Sequence, residues 1–234
     1  GFELSKGQYI NWFDDDDIYF PEALLTFVEQ IENKRDVIIA KARIIDLEKK
    51  NKIFENNILS NNFFEDYFTG KITFYVSGPL WKKTFLEKQN MLFDETIKNL
   101  DDWDFNLRMM YQNPNIVYVN IPLFYYRIHQ NSLSKEINKF NFEELMSEFN
   151  ARDKHISLIK QNKKTDLLPL RKYDYKRCKN ILRIALSINH EKKYTIFKML
   201  LKRQLITRNI KDMFKTTFGF ITIIIFSKGD SLFK

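Results

Sequence analysis

Four consecutive aspartates, Asp14 to Asp17, are the residues of this chain best suited to chemistry. Adjacent carboxylates repel one another, so a folded protein tolerates such a run only where a cation or solvent relieves the repulsion. Carboxylate oxygens are ligands that Mg²⁺ and Mn²⁺ prefer, and a metal held in this way can bridge substrate phosphates. The alternative is an acidic loop whose charges favour the N-terminus of the following helix.

The elements around the aspartates place them after a predicted strand. Residues 9–13 form an apolar, aromatic-rich segment that is typical of a buried strand. Pro21 then suits the first turn of a helix, which we expect to extend to about Asn33. Carboxylates that follow a buried strand lie at the edge of an α/β sheet, where ligands usually bind.

The rest of the first 134 residues predicts a mixture of strands and helices. We expect strands over residues 37–47, 72–76 and 116–119, and another over 123–128 after a break at Pro122. We expect helices over residues 82–88 and from Asp101. Residues 1–7 indicate the end of a helix that Gly7 terminates.

The composition narrows the class of protein. The chain has 44% hydrophobic and 15% aromatic residues, so it can bury a core, and its 6 Gly and 5 Pro argue against a turn-rich sandwich. Its single cysteine, Cys178, excludes an internal disulfide and fits a reducing compartment. The longest apolar run, residues 218–226, is too short to span a bilayer. These features fit a protein of a reducing compartment such as the cytoplasm.

Basic residues are concentrated after residue 150. Residues 1–150 hold 17 Lys and Arg against 24 Asp and Glu, whereas residues 151–234 hold 21 against 6. From about residue 140 the pattern is helical, with an apolar stripe formed by Cys178, Ile181, Leu182, Ala185 and Leu186. A basic amphipathic segment can lie in a membrane interface. We expect the tail to bind an anionic membrane surface at the inner face of the cell membrane, or else to be a set of solvated helices. No nucleic-acid motif accompanies the charge, so nucleic acid is not an expected partner.

Four further segments follow the aspartates in a fixed order. They are Gly78-Pro79-Leu80-Trp81-Lys82-Lys83; Phe93-Asp94-Glu95; Leu100-Asp101-Asp102-Trp103-Asp104-Phe105 with Leu107-Arg108; and Tyr125-Tyr126-Arg127-Ile128-His129 with Asn131-Ser132-Leu133-Ser134. With the segment from Tyr9 to Asp17, this order resembles the motifs of family-two glycosyltransferases that have the GT-A fold. Each motif alone is weak, whereas five in order are strong. The resemblance implies a partial GT-A α/β domain over residues 1–134, followed by a mainly helical tail over 135–234.

The resemblance implies that a divalent metal, Mg²⁺ or Mn²⁺, holds the diphosphate of a nucleotide-sugar donor. Asp16 would be the metal ligand, and Asp14 would contact the nucleoside or a metal-bound water. The register can also be read one place along. The apolar pair Trp12-Phe13 matches the pair that precedes the family motif and favours Asp16.

The resemblance also implies roles in the later motifs. Asp102 would be the general base that takes a proton from an acceptor hydroxyl during an inverting attack; the alternative for Asp101-Asp102 is a helix N-cap with first-turn acids. Asp101 stands where the family usually has Glu, on the acceptor side. Trp103 would line the acceptor cleft, or else pack in the core. Arg127 and His129 would close over the diphosphate, although a hydrogen-bonded loop role is equally open for His129.

The nucleotide-binding front half of the family has no counterpart before Gly1. We therefore expect a fragment that alone binds a nucleotide sugar poorly. The expected parent is an inverting glycosyltransferase that transfers a sugar to a glycan or lipid-linked acceptor in surface polysaccharide biosynthesis. The alternative is a non-catalytic remnant that acts as a binding module through its basic helical tail.

Overall fold

The structure is a computed structural model and describes residues 1–31, 35–47, 53–129 and 140–226. Its strands are β1 (Tyr9–Ile10), β2 (Ile18–Tyr19), β3 (Val37–Asp46), β4 (Ile53–Glu55), β5 (Pro79–Lys82) and β6 (Ile116–Ile128). Its helices are α1 (Ala23–Glu29), α2 (Phe63–Phe68), α3 (Lys83–Leu86), α4 (Asp101–Tyr111), α5 (Phe142–Gln161), α6 (Leu167–Ser187), α7 (Lys193–Ile206) and α8 (Ile210–Phe226). The predicted α/β front and mainly helical C-terminal region are confirmed.

The chain divides into two compact units, Gly1–Ala151 and Arg152–Lys234. The predicted boundary between residues 134 and 135 lies outside the described residues, as do the last four residues of the closing motif, 131–134.

A mixed sheet forms the centre of the first unit, with the strand order β1-β5-β3-β6-β2 and β4 paired to β3. The two long strands, β3 and β6, run parallel, and the other pairs are antiparallel. β3 is rich in β-branched residues and its first four residues are fully buried, as expected of a central strand. On one face, Ile38 and Ala40 pack against Ala23 and Phe27 of α1.

The predicted break at Pro122 is a bulge within one continuous strand. The β3–β6 register advances from Ala40 opposite Val119 to Lys41 opposite Pro122, so β6 contains extra residues at this point. A bulge leaves residues out of the hydrogen-bonded ladder, and it therefore accommodates a proline, which has no N–H to donate. Pairing resumes with Pro122 opposite Lys41 and, after a second shift in register, carries β6 to Ile128 opposite Asp46.

Two sequence predictions about local structure were wrong. Residues 2–4 form a turn and not a helix end, because both the N–H and the hydroxyl of Ser5 donate to the carbonyl of Phe2. Residues 72–76 form no strand, because Thr73 bonds with loop residues: its N–H donates to Asn57 O, and Asn56 donates to its carbonyl. The strand in this region begins later, at Pro79.

In the second unit, the predicted apolar stripe of α6 is buried, including Cys178, Ile181 and Leu182. α6 and α7 are joined by a buried ion pair, in which Arg203 Nε lies 2.8 Å from Asp174 Oδ2. α8 packs on α7 through Phe220, whose ring stacks on Phe197 at 3.9 Å. Within the described residues, no helix is long and apolar enough to cross a membrane.

Candidate active site

The four aspartates form a tight turn between β1 and β2, closed by a hydrogen bond from Asp17 N–H to Asp14 O at 3.1 Å. The preceding aromatic pair anchors this turn. Trp12 packs edge-on against Phe105, and Phe13 stacks on Tyr19 at 3.9 Å. The turn does not act on the helix that follows, because α1 begins only at Ala23 and has no acidic residue in its first turn. The structure therefore does not support the helix-terminus alternative.

Ser77 fixes the conformation of the acidic turn. Its buried hydroxyl donates to Asp17 Oδ2 at 2.7 Å and accepts a hydrogen bond from Asp14 N–H at 3.2 Å. Asn11 secures the same junction, because its side-chain amide donates to the carbonyls of Ser77 and Pro79. Both ends of the turn are thus tied to the segment that leads into β5.

The fourth aspartate, Asp17, has a structural role that sequence reasoning missed. It is only 6% exposed, and its Oδ1 accepts a hydrogen bond from the backbone N–H of Arg127 at 3.3 Å. Burial raises the pKa of Asp17 to about 6, although the hydrogen bonds from Ser77 and Arg127 act in the opposite direction. Nothing in a run of four identical residues marks which one turns inward.

Asp16 and His129 come together although they lie in different motifs of the sequence. His129 Nε2 lies 2.8 Å from Asp16 Oδ2, across 113 positions of the chain. The side chain of Arg127 donates to the backbone carbonyl of Asp16. The structure therefore places Arg127 and His129, both predicted for the donor, in direct contact with Asp16, the predicted metal ligand.

The side-chain donor atoms of Asp16 and His129 suit a divalent metal that also binds phosphate. Within the described part of the chain, no group of three or more His, Cys, Asp or Glu residues is placed to hold a metal ion. Mg²⁺ sites of phosphate-transferring enzymes commonly use one or two carboxylates and take other ligands from water and substrate phosphates. Asp16 supplies such a carboxylate, and the imidazole of His129 lies beside it.

Asp101 and Asp102 begin α4, and the acidic turn lies within electrostatic range of them. Asp102 is partly buried, and its Oδ1 accepts a hydrogen bond from Trp103 N–H at 2.6 Å. Burial raises the pKa of Asp102 to about 7, and the charges of Asp101 and Asp14 add to the increase. The pKa of Asp14 is also raised, first by burial and then by Asp16, Asp15 and Asp101. Each acidic segment therefore raises the pKa of a carboxyl group in the other.

The start of α4 agrees with the capping alternative only in part, because the aspartates lie in the first helical turn but do not cap the helix. The N-cap residue is Leu100, with a left-handed φ of 71° and no side-chain cap, while the aspartates occupy the first helical turn. Asp104 in that turn is fully buried and pairs with Arg108 at 2.7 Å. Asp101 is exposed and Asp102 is partly buried, so both can face a ligand.

Trp103 packs inside the protein, so the structure favours its core alternative. It is 8% exposed, and its indole N–H donates to the carbonyl of Tyr67 at 3.3 Å. Sequence reasoning also missed Tyr75, which stacks on Tyr126 at 3.9 Å. Burial raises the pKa of Tyr75, with smaller increases from Asp102 and Asp17. Tyr75 is therefore close to both acidic segments.

Close backbone packing accounts for the glycine that opens the motif of residues 78–83. A Cβ atom there would lie 3.2 Å from the carbonyl of Ala40 and 3.3 Å from that of Tyr75, so a larger residue would force the backbones apart. Trp81 of the same motif is fully buried and stacks on Phe85. The motif therefore contributes close backbone packing against β3 and a buried aromatic side chain.

Comparisons with known proteins find similarity to glycosyltransferases. Residues 1–90 match the family model described as glycosyl transferase family 2. The chain is also 22% identical over 152 residues to a curated protein of Bacillus subtilis (strain 168) named "Putative glycosyltransferase EpsH". That alignment covers 61% of this chain and 44% of the relative, so the chain spans less than half the relative's length. The predicted resemblance to family-two glycosyltransferases is confirmed.

Proposed function

We propose that the protein containing this chain transfers a sugar from a nucleotide-sugar donor to a glycan or lipid-linked acceptor, with inversion at the anomeric carbon. The contact between Asp16 and His129 carries this proposal. It joins the first and last of the five family motifs at the point where the diphosphate of a donor would bind.

In this proposal the donor lies against the acidic turn. Asp16, with His129 beside it, would hold Mg²⁺ or Mn²⁺, which offsets negative charge on the departing nucleoside diphosphate. Asp14 would contact the nucleoside or a water molecule on the metal. Arg127 adds a positive charge next to Asp16, and a guanidinium is well suited to pairing with phosphate oxygens.

Asp102 is the proposed general base. Its carboxylate accepts the proton of an acceptor hydroxyl while that oxygen bonds to the anomeric carbon, and the bond from this carbon to the diphosphate breaks. A pKa of about 7 suits this task, because a base works best when its pKa is near the working pH. Asp101 is exposed and would lie on the acceptor side, and Trp103 packs in the core at this end of α4.

We place this activity in surface polysaccharide biosynthesis, in the cytoplasm and at the inner face of the cell membrane. The relative's name supports the glycosyltransferase part of this proposal. The basic composition of residues 151–234 supports the membrane part.

A direct test is the release of nucleoside diphosphate from a panel of nucleotide sugars. The protein should be expressed from the complete reading frame that contains residues 1–234. We expect release to depend on Mn²⁺ or Mg²⁺ and to stop in the presence of a chelator. Absence of release with every donor, in a folded protein with its metal and an extract of acceptors, would contradict the proposal.

The second candidate is a non-catalytic remnant that acts as a binding module through its basic helices. It is favoured by one observation: residues 151–234 hold 21 Lys and Arg against 6 Asp and Glu. The reading frame upstream of the Gly1 codon separates the two candidates. A continuous front half with a nucleotide-contacting aspartate supports the enzyme, whereas a stop codon supports the remnant.

A further inference from the structure

Helix α8 presents a row of large apolar side chains to solvent. Ile210, Phe214, Phe218, Ile221 and Ile225 are each between 42% and 69% exposed. Their spacing of three or four residues places all five on one face of the helix. We call this row the α8 stripe.

The opposite face of α8 is the one that packs within the second unit. Thr216, Gly219 and Phe220 are buried there, and Phe220 contacts Tyr194 and Phe197 of α7. The orientation of α8 is also fixed by polar contacts, because Gln204 donates to Thr216 Oγ1 at 2.9 Å. The α8 stripe is therefore presented outward by a helix that is already held in place.

The charges around the stripe are almost all positive. Lys211 and Lys215 are exposed on α8 beside the stripe, and Lys198, Lys202 and Arg208 are exposed in the segment before it. From residue 198 to residue 226 the sequence contains one acidic residue, Asp212. Its carboxylate is paired with Lys179 Nζ at 2.8 Å. Helix α8 thus carries two exposed lysines beside the stripe, and its one acidic residue is paired.

We propose that the α8 stripe docks on the surface of an anionic lipid bilayer. A large apolar side chain that leaves water contributes about 1.5–3 kcal/mol when fully buried, and each nearby Lys or Arg adds about 1 kcal/mol at an anionic surface. Helices with one apolar face and basic flanks bind in the interfacial plane of a membrane.

The same observations disfavour other occupants. A second copy of the chain would bring the same cations against one another. A nucleic acid would satisfy the cations, but it offers no apolar phase to the three isoleucines of the stripe. An anionic bilayer satisfies both features. The proposal is independent of sugar transfer, and its test does not require an active enzyme.

The test is co-sedimentation of the protein with phosphatidylcholine vesicles that contain or lack phosphatidylglycerol, at low and high salt. We expect binding to the anionic vesicles that weakens with salt, and much weaker binding to the neutral ones. The double variant Phe214→Ser/Phe218→Ser should reduce the partition coefficient by at least about tenfold. Circular dichroism should be unchanged, because both side chains are exposed.

A matched control is Leu24→Ser/Leu25→Ser, which removes two leucines of α1 that are each 63% exposed. It should leave vesicle binding unchanged. Lys211→Gln/Lys215→Gln should weaken binding to anionic vesicles and reduce its salt dependence. Three results would overturn the proposal: negligible binding to both kinds of vesicle, binding that survives loss of the two phenylalanines, or dimers that strengthen with salt and disappear in the Phe214→Ser/Phe218→Ser variant.

Discussion

His129 Nε2 and Asp16 Oδ2 are 2.8 Å apart, although the two residues belong to the first and last motifs of the family resemblance. The contact depends on elements that meet side by side in the sheet. β2 follows the acidic turn directly and pairs with β6, with Ile18 opposite Tyr125 and Tyr19 opposite Phe124. Because β6 ends at Ile128, its continuation brings His129 to the turn.

The first prediction concerns the general base. Asp102→Asn keeps the shape of the side chain but cannot accept a proton, so turnover should fall by a factor on the order of 10²–10⁴. Binding of the nucleoside diphosphate should be retained. Steady-state release of nucleoside diphosphate, combined with calorimetric binding, measures both quantities. Near-normal turnover in this variant would remove Asp102 from the mechanism.

The second prediction concerns pH. Asp102 accepts a proton only when ionised, and its pKa is raised to about 7, so turnover should rise with pH and level off above about pH 7. Asp101→Asn removes a like charge that contributes to the increase, so the midpoint of the profile should move to lower pH. An unchanged midpoint in the Asp101→Asn variant would show that another group controls the profile.

The third prediction concerns the buried aspartate of the turn. Asp17→Ala leaves the Ser77 hydroxyl and the Arg127 N–H without their acceptor, so the free energy of unfolding should fall by about 2 kcal/mol. The exposed neighbour provides the control, because Asp15→Ala should change stability by no more than about 0.5 kcal/mol.

Tryptophan fluorescence during chemical denaturation is a suitable measurement for this pair. All three tryptophans, Trp12, Trp81 and Trp103, lie in the first unit, so the signal follows the part of the chain that contains the turn. Equal stability of the two variants would mean that the hydrogen bonds of Asp17 do not hold the turn.

The fourth prediction concerns the ion pair between α6 and α7. Arg203→Met removes the ion-pair partner of buried Asp174, which should destabilise the second unit by about 3–5 kcal/mol at about pH 8. Burial already raises the pKa of Asp174 to about 6, and loss of Arg203 raises it further. The carboxyl is therefore neutral at low pH, and the deficit should shrink as the pH falls through that pKa.

Denaturation followed by circular dichroism at about pH 5 and about pH 8 measures this effect. Lys202→Met provides the control, since it removes the adjacent but exposed cation and should have little effect on stability. A deficit that is independent of pH would show that the lost packing of Arg203, and not the uncompensated charge, causes the destabilisation.

The sequence predicted those features that rest on periodicity and on motif order. The long buried strand β3, the start of α4 at Asp101 and the stripe of α6 all follow from patterns within a short window. Residues 72–76 have the same apolar character as a strand, yet the contacts of Thr73 with Asn56 and Asn57 hold them as a loop. Those partners lie outside any local window.

The candidate site likewise contains residues that the sequence predicted and residues that it did not. The motifs indicated Asp16, Asp102, Arg127 and His129, whereas Asp17, Ser77 and Tyr75 emerged only from their contacts. Asp17 is identical in type to its three neighbours, and only the fold determines which carboxylate meets a buried hydroxyl. Pro122 indicated a break in the strand, but the parallel neighbour β3 keeps the strand continuous through a bulge.

Mn²⁺-dependent binding of nucleoside diphosphates tests the proposed metal site at Asp16, and calorimetry on the protein from the complete reading frame measures it. We expect Asp16→Ala to weaken this binding by at least about tenfold, because the variant loses a charged metal ligand. This is a loss of about 1.4 kcal/mol or more in binding free energy. Asp15→Ala, at an exposed position in the same turn, should bind nearly as well as the unaltered protein. Equal losses in the two variants, or binding that does not require the metal, would contradict the proposed metal site.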